Sequence, residues 1–413
     1  MNLGREKERV ILVGVAPGGG AVQEAEASLE ELARLVEAAG AICVSMVLQN
    51  REQIHAATYV GKGKLAEIRE LLWETQATGI VCDDELSPVQ IRNLERELET
   101  KVMDRTLVIL DIFALRAFTK EGKLQVELAQ LRYRAARLIG LGNSLSRLGG
   151  GIGTRGPGEK KLETDRRVIQ ERIGRLKEEL KQVEKHREVT RAQRKRNNSY
   201  VAAIVGYTNA GKSTLLNRLT QADVREEDHV FVTLDPTTRV FTLPGGHHIL
   251  LTDTVGFIQK LPHHLVEAFH STLEEAKFAD IILHVVDASN PQAEMHLRVV
   301  YETLKQLGIV NKPVITLFNK ADRLEEKPFL VDPVAEKSLF ISARSGEGLL
   351  ELSKLLEDYV RRRNVYVEKC FSYEDMPRIQ LLREKGELLS LEYRGEGVFV
   401  QGYIPPELRQ FFE

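Results

Sequence analysis

Short apolar runs alternate with amphipathic stretches over most of the chain, and that alternation predicts a multidomain α/β architecture. Residues 10–15 (VILVGV) read as a buried strand. Residues 24–39 follow as a helix with Leu29, Leu32, Leu35 and Val36 on one face, closed by Gly40. Residues 42–48 and 80–82 are further strands, and a helix starts at Ser87 with Pro88 in its first turn. Strands alternating with helices imply a mostly parallel sheet.

The period then changes. Leu124, Leu128, Leu131, Ala135 and Leu138 follow a 4-3-4-3 spacing, as do Ile169, Ile173, Leu176, Leu180 and Val183. Such spacing is the seam of a two-helix coiled coil, over residues 121–148 and 160–196. The second helix would be on the order of 55 Å long at 1.5 Å per residue. Between the helices, the run from Gly149 to Gly158 (GGGIGTRGPG) cannot stay helical. The segment is expected to be a long antiparallel hairpin with a Gly-rich tip. Four domains are predicted: an α/β domain (1–117), the hairpin (118–197), a second α/β domain carrying the chemistry (198–362) and a small α/β domain (363–413). In the last, residues 365–371 are strand-like, a helical stretch follows, and strands lie near 388–393 and 397–403.

Charge changes the picture only when it is divided. The net charge is −2, yet residues 120–199 hold 21 Lys and Arg against 10 Asp and Glu, a balance of +11 that leaves −13 elsewhere. One strongly basic segment points to a polyanionic partner, although a solvated helix surface also carries many charges. No apolar run reaches the roughly 20 residues needed to span a bilayer, and the N-terminus has no signal-peptide core. Cys43, Cys82 and Cys370 are far apart and odd in number, which fits a reducing cytoplasm.

The chemistry begins where an apolar strand, residues 201–205, runs into Gly206-Tyr207-Thr208-Asn209-Ala210-Gly211-Lys212-Ser213 and then a helix. This is G-x-x-x-x-G-K-S in its strand–loop–helix setting. The glycines admit phosphates to the backbone N–H groups, and the helix N-terminus adds partial positive charge. Lys212 is the candidate ligand of the β- and γ-phosphates and Ser213 of Mg²⁺. Further boxes choose the nucleotide. Asp253-Thr254-Val255-Gly256 ends a strand, with Asp253 supporting Mg²⁺ and the Gly256 N–H facing the γ-phosphate. Asn319-Lys320-Ala321-Asp322 ends another, and the Asp322 carboxylate suits guanine N1–H and N2–H₂, donors that adenine lacks. The Lys320 stem would cover the base, and in Ser342-Ala343-Arg344 the Ala343 N–H could reach guanine O6. Each box sits at a strand end, where open α/β sheets take their ligands. Together they predict a P-loop G domain binding GTP and GDP. In the stretch Phe231-Val232-Thr233-Leu234-Asp235-Pro236-Thr237-Thr238, spacing does not choose among three threonines as the switch ligand.

The whole chain resembles HflX, a family of ribosome-associated bacterial GTPases. The resemblance rests on Thr58-Tyr59-Val60-Gly61-Lys62-Gly63-Lys64, on residues 149–167 (GGGIGTRGPGEKKLETDRR) and on residues 231–239 (FVTLDPTTR). It implies binding to the large ribosomal subunit and its rRNA, and splitting or rescue of stalled ribosomes. It also implies Thr233 as the switch Mg²⁺ ligand beside Ser213. A polyanionic rRNA partner agrees with the basic hairpin; no DNA partner, no stable membrane association and a monomer off the ribosome are expected. An RNA-binding factor in large-subunit assembly, gated by GTP, is the alternative. Family members are reported to bind ATP in the N-terminal domain; here Gly18-Gly19-Gly20 and Gly61-Lys62-Gly63-Lys64 read as turns, since neither is a P-loop. Lys212, Thr233 and Gly256 would carry the hydrolysis. Phe257 stands where many GTPases place a water-orienting Gln, so slow intrinsic hydrolysis, completed by another group or by the partner, is expected.

Overall fold

Continuous burial on both faces makes the run after Arg9 a central strand rather than a surface one. In a computed structural model, β1 (Arg9–Ala16) is buried at every residue but the first. The structure describes residues 7–18, 22–145, 157–196, 200–220, 237–260, 262, 265, 275–326 and 328–412, which fall into two units. The first holds the described residues up to 186 with 258–260, 262 and 265, and the second holds the rest.

In the first unit β1 is followed by α1 (Val22–Ala38), β2 (Ile42–Asn50), α2 (Lys62–Thr75), β3 (Gly79–Cys82), α3 (Pro88–Leu98), β4 (Lys101–Asp104) and α4 (Arg105–Arg116). The sheet is parallel, in the order β2-β1-β3-β4. The predicted face of α1 is the buried one. Ser87 caps α3 through a reciprocal pair with Gln90, and Pro88 opens the first turn. Gly61-Lys62-Gly63-Lys64, read from sequence as a turn, is instead the start of α2, with Gly61 as N-cap. Glycine in a helix costs about 1 kcal/mol relative to alanine. Here Leu65 and Ile68, buried in the sheet's core cluster, outweigh that.

The hairpin helices are α5 (Lys120–Leu145) and α6 (Pro157–Arg196). Leu124, Leu128, Ala135, Ile173 and Leu176 form one buried cluster, flanked by Leu131, Ile169 and Leu180. Arg172 grips Glu127 with two bonds of 2.8 and 3.0 Å across the pair. The break predicted over 149–158 is too long by two residues. Pro157 already opens α6, because a proline at the first helical position loses no needed hydrogen bond. Residues 149–156 lie outside the described residues.

The second unit contains β5 (Tyr200–Gly206), α7 (Lys212–Thr220), β6 (Thr237–Thr242), β7 (His248–Asp253), β8 (Ile281–Asp287), α8 (Ala293–Gln306), β9 (Val314–Asn319), β10 (Lys337–Phe340) and α9 (Leu349–Arg363). Its sheet runs β10-β9-β8-β5-β7-β6, parallel except for β6. β5 is central, so the loop after it emerges mid-sheet at the strand C-termini. Beyond lie β11 (Val365–Phe371), α10 (Met376–Lys385), β12 (Glu387–Arg394) and β13 (Gly397–Ile404). This small sheet is antiparallel, ordered β11-β13-β12, with Phe371, Val398 and Val400 buried in one cluster with Ile379 and Leu382 of α10. Among the described residues no helix is long and apolar enough to cross a membrane.

Candidate nucleotide site

The loop from Gly206 to Gly211 leaves β5 and enters α7 at Lys212. Asn209 turns through φ 59° and Gly211 through φ 97°. A Cβ on Gly211 would lie 2.2 Å from Asn319 Nδ2, so only glycine fits there. The Tyr207 ring stacks on His296 of α8, centroids 3.7 Å apart, which anchors the loop from one side. Lys212 is buried and donates from Nζ to the Tyr207 carbonyl at 2.8 Å. Burial, the largest influence, lowers its pKa to about 8; Asp253 opposes the shift and Lys320 adds to it. A buried ammonium held there is set to take an anion.

Ser213 Oγ donates to Asp253 Oδ2 at 2.7 Å, bringing the first turn of α7 to the end of β7. Asp253 and Thr254 are fully buried, and the Thr254 hydroxyl donates to the Ile204 carbonyl at 2.8 Å. Gly256 needs to be glycine because a Cβ would stand 2.8 Å from Thr208 Cγ2 and 3.0 Å from Lys212 Nζ. Phe257 pairs its backbone with the loop: its N–H donates to Gly206 O at 3.1 Å, and its carbonyl accepts from Thr208 N–H at 2.8 Å. Its ring is buried.

Asn319 ties two loops together. Its Nδ2 donates to Ala210 O at 2.8 Å, and its Oδ1 accepts from Ala343 N–H at 2.9 Å. The Ala343 N–H, read from sequence as a donor to guanine O6, is thus engaged by Asn319 here. Lys320, in a left-handed turn at φ 64°, pairs with Asp287 at the end of β8, 2.7 Å away. Ala321 is buried and opens a short 3-10 turn. Asp322 is exposed, and its Oδ1 accepts from Ser342 Oγ at 2.6 Å, the first cause of a pKa below the usual carboxylate range. Arg344 is exposed. Phe231, Val232, Thr233, Leu234 and Asp235 lie outside the described residues. Thr237 and Thr238 do not: both belong to β6, and Thr238 Oγ1 is 3.0 Å from Thr252 Oγ1.

Four loops at the C-terminal ends of β5, β7, β9 and β10 therefore meet, tied together by Ser213–Asp253, Gly206–Phe257 and the two bonds of Asn319. Residues 26–114 match the family model for a GTP-binding GTPase N-terminal region, 116–194 that for its middle region, and 201–320 that for a 50S ribosome-binding GTPase. GTPase HflX of Lacrimispora saccharolytica is 63% identical over 402 residues, covering 97% of this chain and 95% of that one. The chain belongs to the HflX family of GTPases. HflX of Escherichia coli K12 is 44% identical over 333 residues, 80% of this chain and 78% of its own. Among solved structures, the crystal structure of an SsGBP–GDP complex shares 26% identity at a TM-score of 0.48, over 86% of this chain and 99% of that one.

As an HflX-family member the protein is a GTPase, binding guanine nucleotide and hydrolysing GTP. Sequence reasoning missed three supports of this site: Asp287, His296 and the Ser342–Asp322 bond. Asp287 carried a signal, an acidic residue at the end of an apolar strand like Asp253. The other two join residues too distant in sequence for spacing to pair them.

Proposed function

We propose that this GTPase binds the large ribosomal subunit through rRNA and splits or rescues stalled ribosomes, working in the cytoplasm and as a monomer off the ribosome. The observation that carries the reading is the +11 balance of residues 120–199, with all but two of the 21 Lys and Arg, Arg147 and Arg155, on the two helices of the hairpin. The family model over 201–320, described as 50S ribosome-binding, supports the same partner. Phosphate contacts by Lys and Arg dominate affinity for such a polyanion.

In the site, Lys212 neutralises the β- and γ-phosphates, the Gly256 N–H meets the γ-phosphate, and Asp322 reads the guanine edge. The hydroxyl of Ser213 and the carboxylate of Asp253, 2.7 Å apart, are hard oxygen donors of the kind Mg²⁺ takes. Ser213 and Thr233 would hold the ion, with Asp253 behind Ser213. Mg²⁺, when bound, supplies charge neutralisation between the phosphates. The chain's own part is positioning. Phe257 offers no side-chain hydrogen bond to water and its backbone is spent on the loop; in this reading the ribosome completes the hydrolysis.

The basic hairpin also fits a GTP-gated RNA-binding factor in large-subunit assembly. Sedimentation of intact ribosomes with the protein and a non-hydrolysable GTP analogue separates the two. Dissociation into subunits is expected; binding confined to immature particles, with ribosomes intact, would establish the assembly reading instead.

A further inference from the structure

The small sheet of β11, β13 and β12 buries one of its faces: Val367, Phe371, Val398 and Val400 pack there with Ile379 and Leu382 of α10. Strand side chains alternate, so Tyr366, Glu368 and Cys370 of β11 share the opposite face with Phe399, Gln401 and Tyr403 of β13. The register sets Tyr366 against Tyr403, Glu368 against Gln401 and Cys370 against Phe399. The three β11 residues are exposed and the three of β13 are half-buried. Aromatic side chains on such a surface are the groups that interfaces draw on most for binding.

One of these rings already holds a cation. The Arg394 guanidinium, at the end of β12, lies 3.9 Å from the Phe399 ring centroid and donates to Glu392 at 2.8 Å. Glu392 stands opposite Phe399 in the register. Ring and carboxylate together thus seat a guanidinium, the ring through its quadrupole and the carboxylate through its charge. The same pair of groups recurs further along the face. The Tyr366 and Tyr403 rings have centroids 5.3 Å apart, tilted by 58°. Glu368 follows Tyr366 on this face and is diagonal to both Tyr403 and Phe399; diagonal neighbours lie about 7–8 Å apart, within reach of long side chains. Among the described residues the Glu368 carboxylate has one polar partner, the Tyr366 hydroxyl, which donates at 3.2 Å. Beside it Gln401 Oε1 accepts from Ser390 Oγ at 2.8 Å, which fixes the amide.

We infer that this open face of the C-terminal sheet docks an arginine-bearing polypeptide segment of a protein partner, with Glu368, Tyr366 and Tyr403 taking one guanidinium. A guanidinium both stacks on a ring and forks onto a carboxylate, whereas an ammonium is a more strongly hydrated point charge. Phe399 and Tyr403, four residues apart on β13, are separated by about 13 Å, a span that suits an extended segment better than a small free cation. Glu368 and Glu392 repel phosphate, which disfavours nucleic acid on this face. The site does not rest on the ribosomal reading, so the two fail separately.

The test is fluorescence anisotropy of a short labelled peptide of alternating arginine and serine with the full chain, at one fixed salt concentration. The peptide should bind, and its lysine–serine counterpart should bind about threefold more weakly or worse. Glu368→Gln, isosteric and exposed, should weaken the arginine peptide about fivefold or more. Tyr366→Leu should weaken it about threefold or more, and Tyr366→Phe, which keeps the ring, should stay within about twofold. Glu294→Gln removes an exposed carboxylate from α8 and should change nothing beyond about twofold. Absence of binding, a lysine peptide that binds as tightly, full binding by Glu368→Gln, or an equal loss in Glu294→Gln overturns the assignment. So does an oligouridylate whose affinity falls by the same factor in Tyr366→Leu, which would assign the rings to base stacking.

Discussion

Asp322 and Ser342 sit on different loops, yet the Ser342 hydroxyl holds Asp322 ionised and oriented. Charge-assisted hydrogen bonds contribute roughly 1.5–3 kcal/mol each. Asp322→Asn keeps an acceptor for Ser342 but removes the charge that guanine N1–H and N2–H₂ require. GTP affinity should fall about ten- to a hundredfold, and xanthosine triphosphate should become the preferred ligand. A competition binding assay measures this, and an unchanged preference removes Asp322 as the base reader. Lys212 makes a second prediction at this scale. Its pKa of about 8 in the free site, set first by burial, means that the proton is lost as pH rises past 8. Bound phosphate favours the charged form, so nucleotide affinity should decline above pH 8 by up to about tenfold per pH unit. Below pH 8 the curve should be flat with respect to this group. GDP titrations between pH 7 and 9.5 check it, with Lys212→Gln expected to lose the upper decline.

Elements were legible in the sequence where one period held long enough to dominate. The α1 face and the start of α3 at Ser87 and Pro88 could be read directly, as could the P-loop, because each is specified by neighbours in sequence. The start of α2 could not, since Gly61 and Gly63 argue locally for a turn and only the packing of Leu65 and Ile68 reverses that. β6 was hidden for a related reason: Thr237 and Thr238 look like switch threonines, while their pairing with Asp253 and Thr252 on β7 makes them strand. The candidate site was legible in its boxes but not in its cross-links, such as Asn319 bridging Ala210 and Ala343. The hairpin carries its own prediction. Replacing residues 149–156 with a short polar linker, leaving Pro157 to open α6, should impair ribosome splitting while GTP affinity stays within twofold. Normal splitting by that variant would reduce the tip to a connector.

Across the whole molecule, the chain combines a nucleotide site carrying Phe257, where many GTPases place a water-orienting Gln, with a hairpin segment rich in positive charge. The two features have one economical explanation, in which hydrolysis waits for the partner that the hairpin finds. That coupling fits a switch better than a free-running hydrolase, because the phenyl ring at position 257 offers an attacking water no hydrogen bond. Cleaner evidence than any substitution is the rate itself. GTP turnover should be measured with the full protein alone and with purified large ribosomal subunits, at one fixed salt concentration. The account predicts a rise of at least tenfold with subunits, diminishing as salt weakens the phosphate contacts. Equal rates with and without subunits would contradict it.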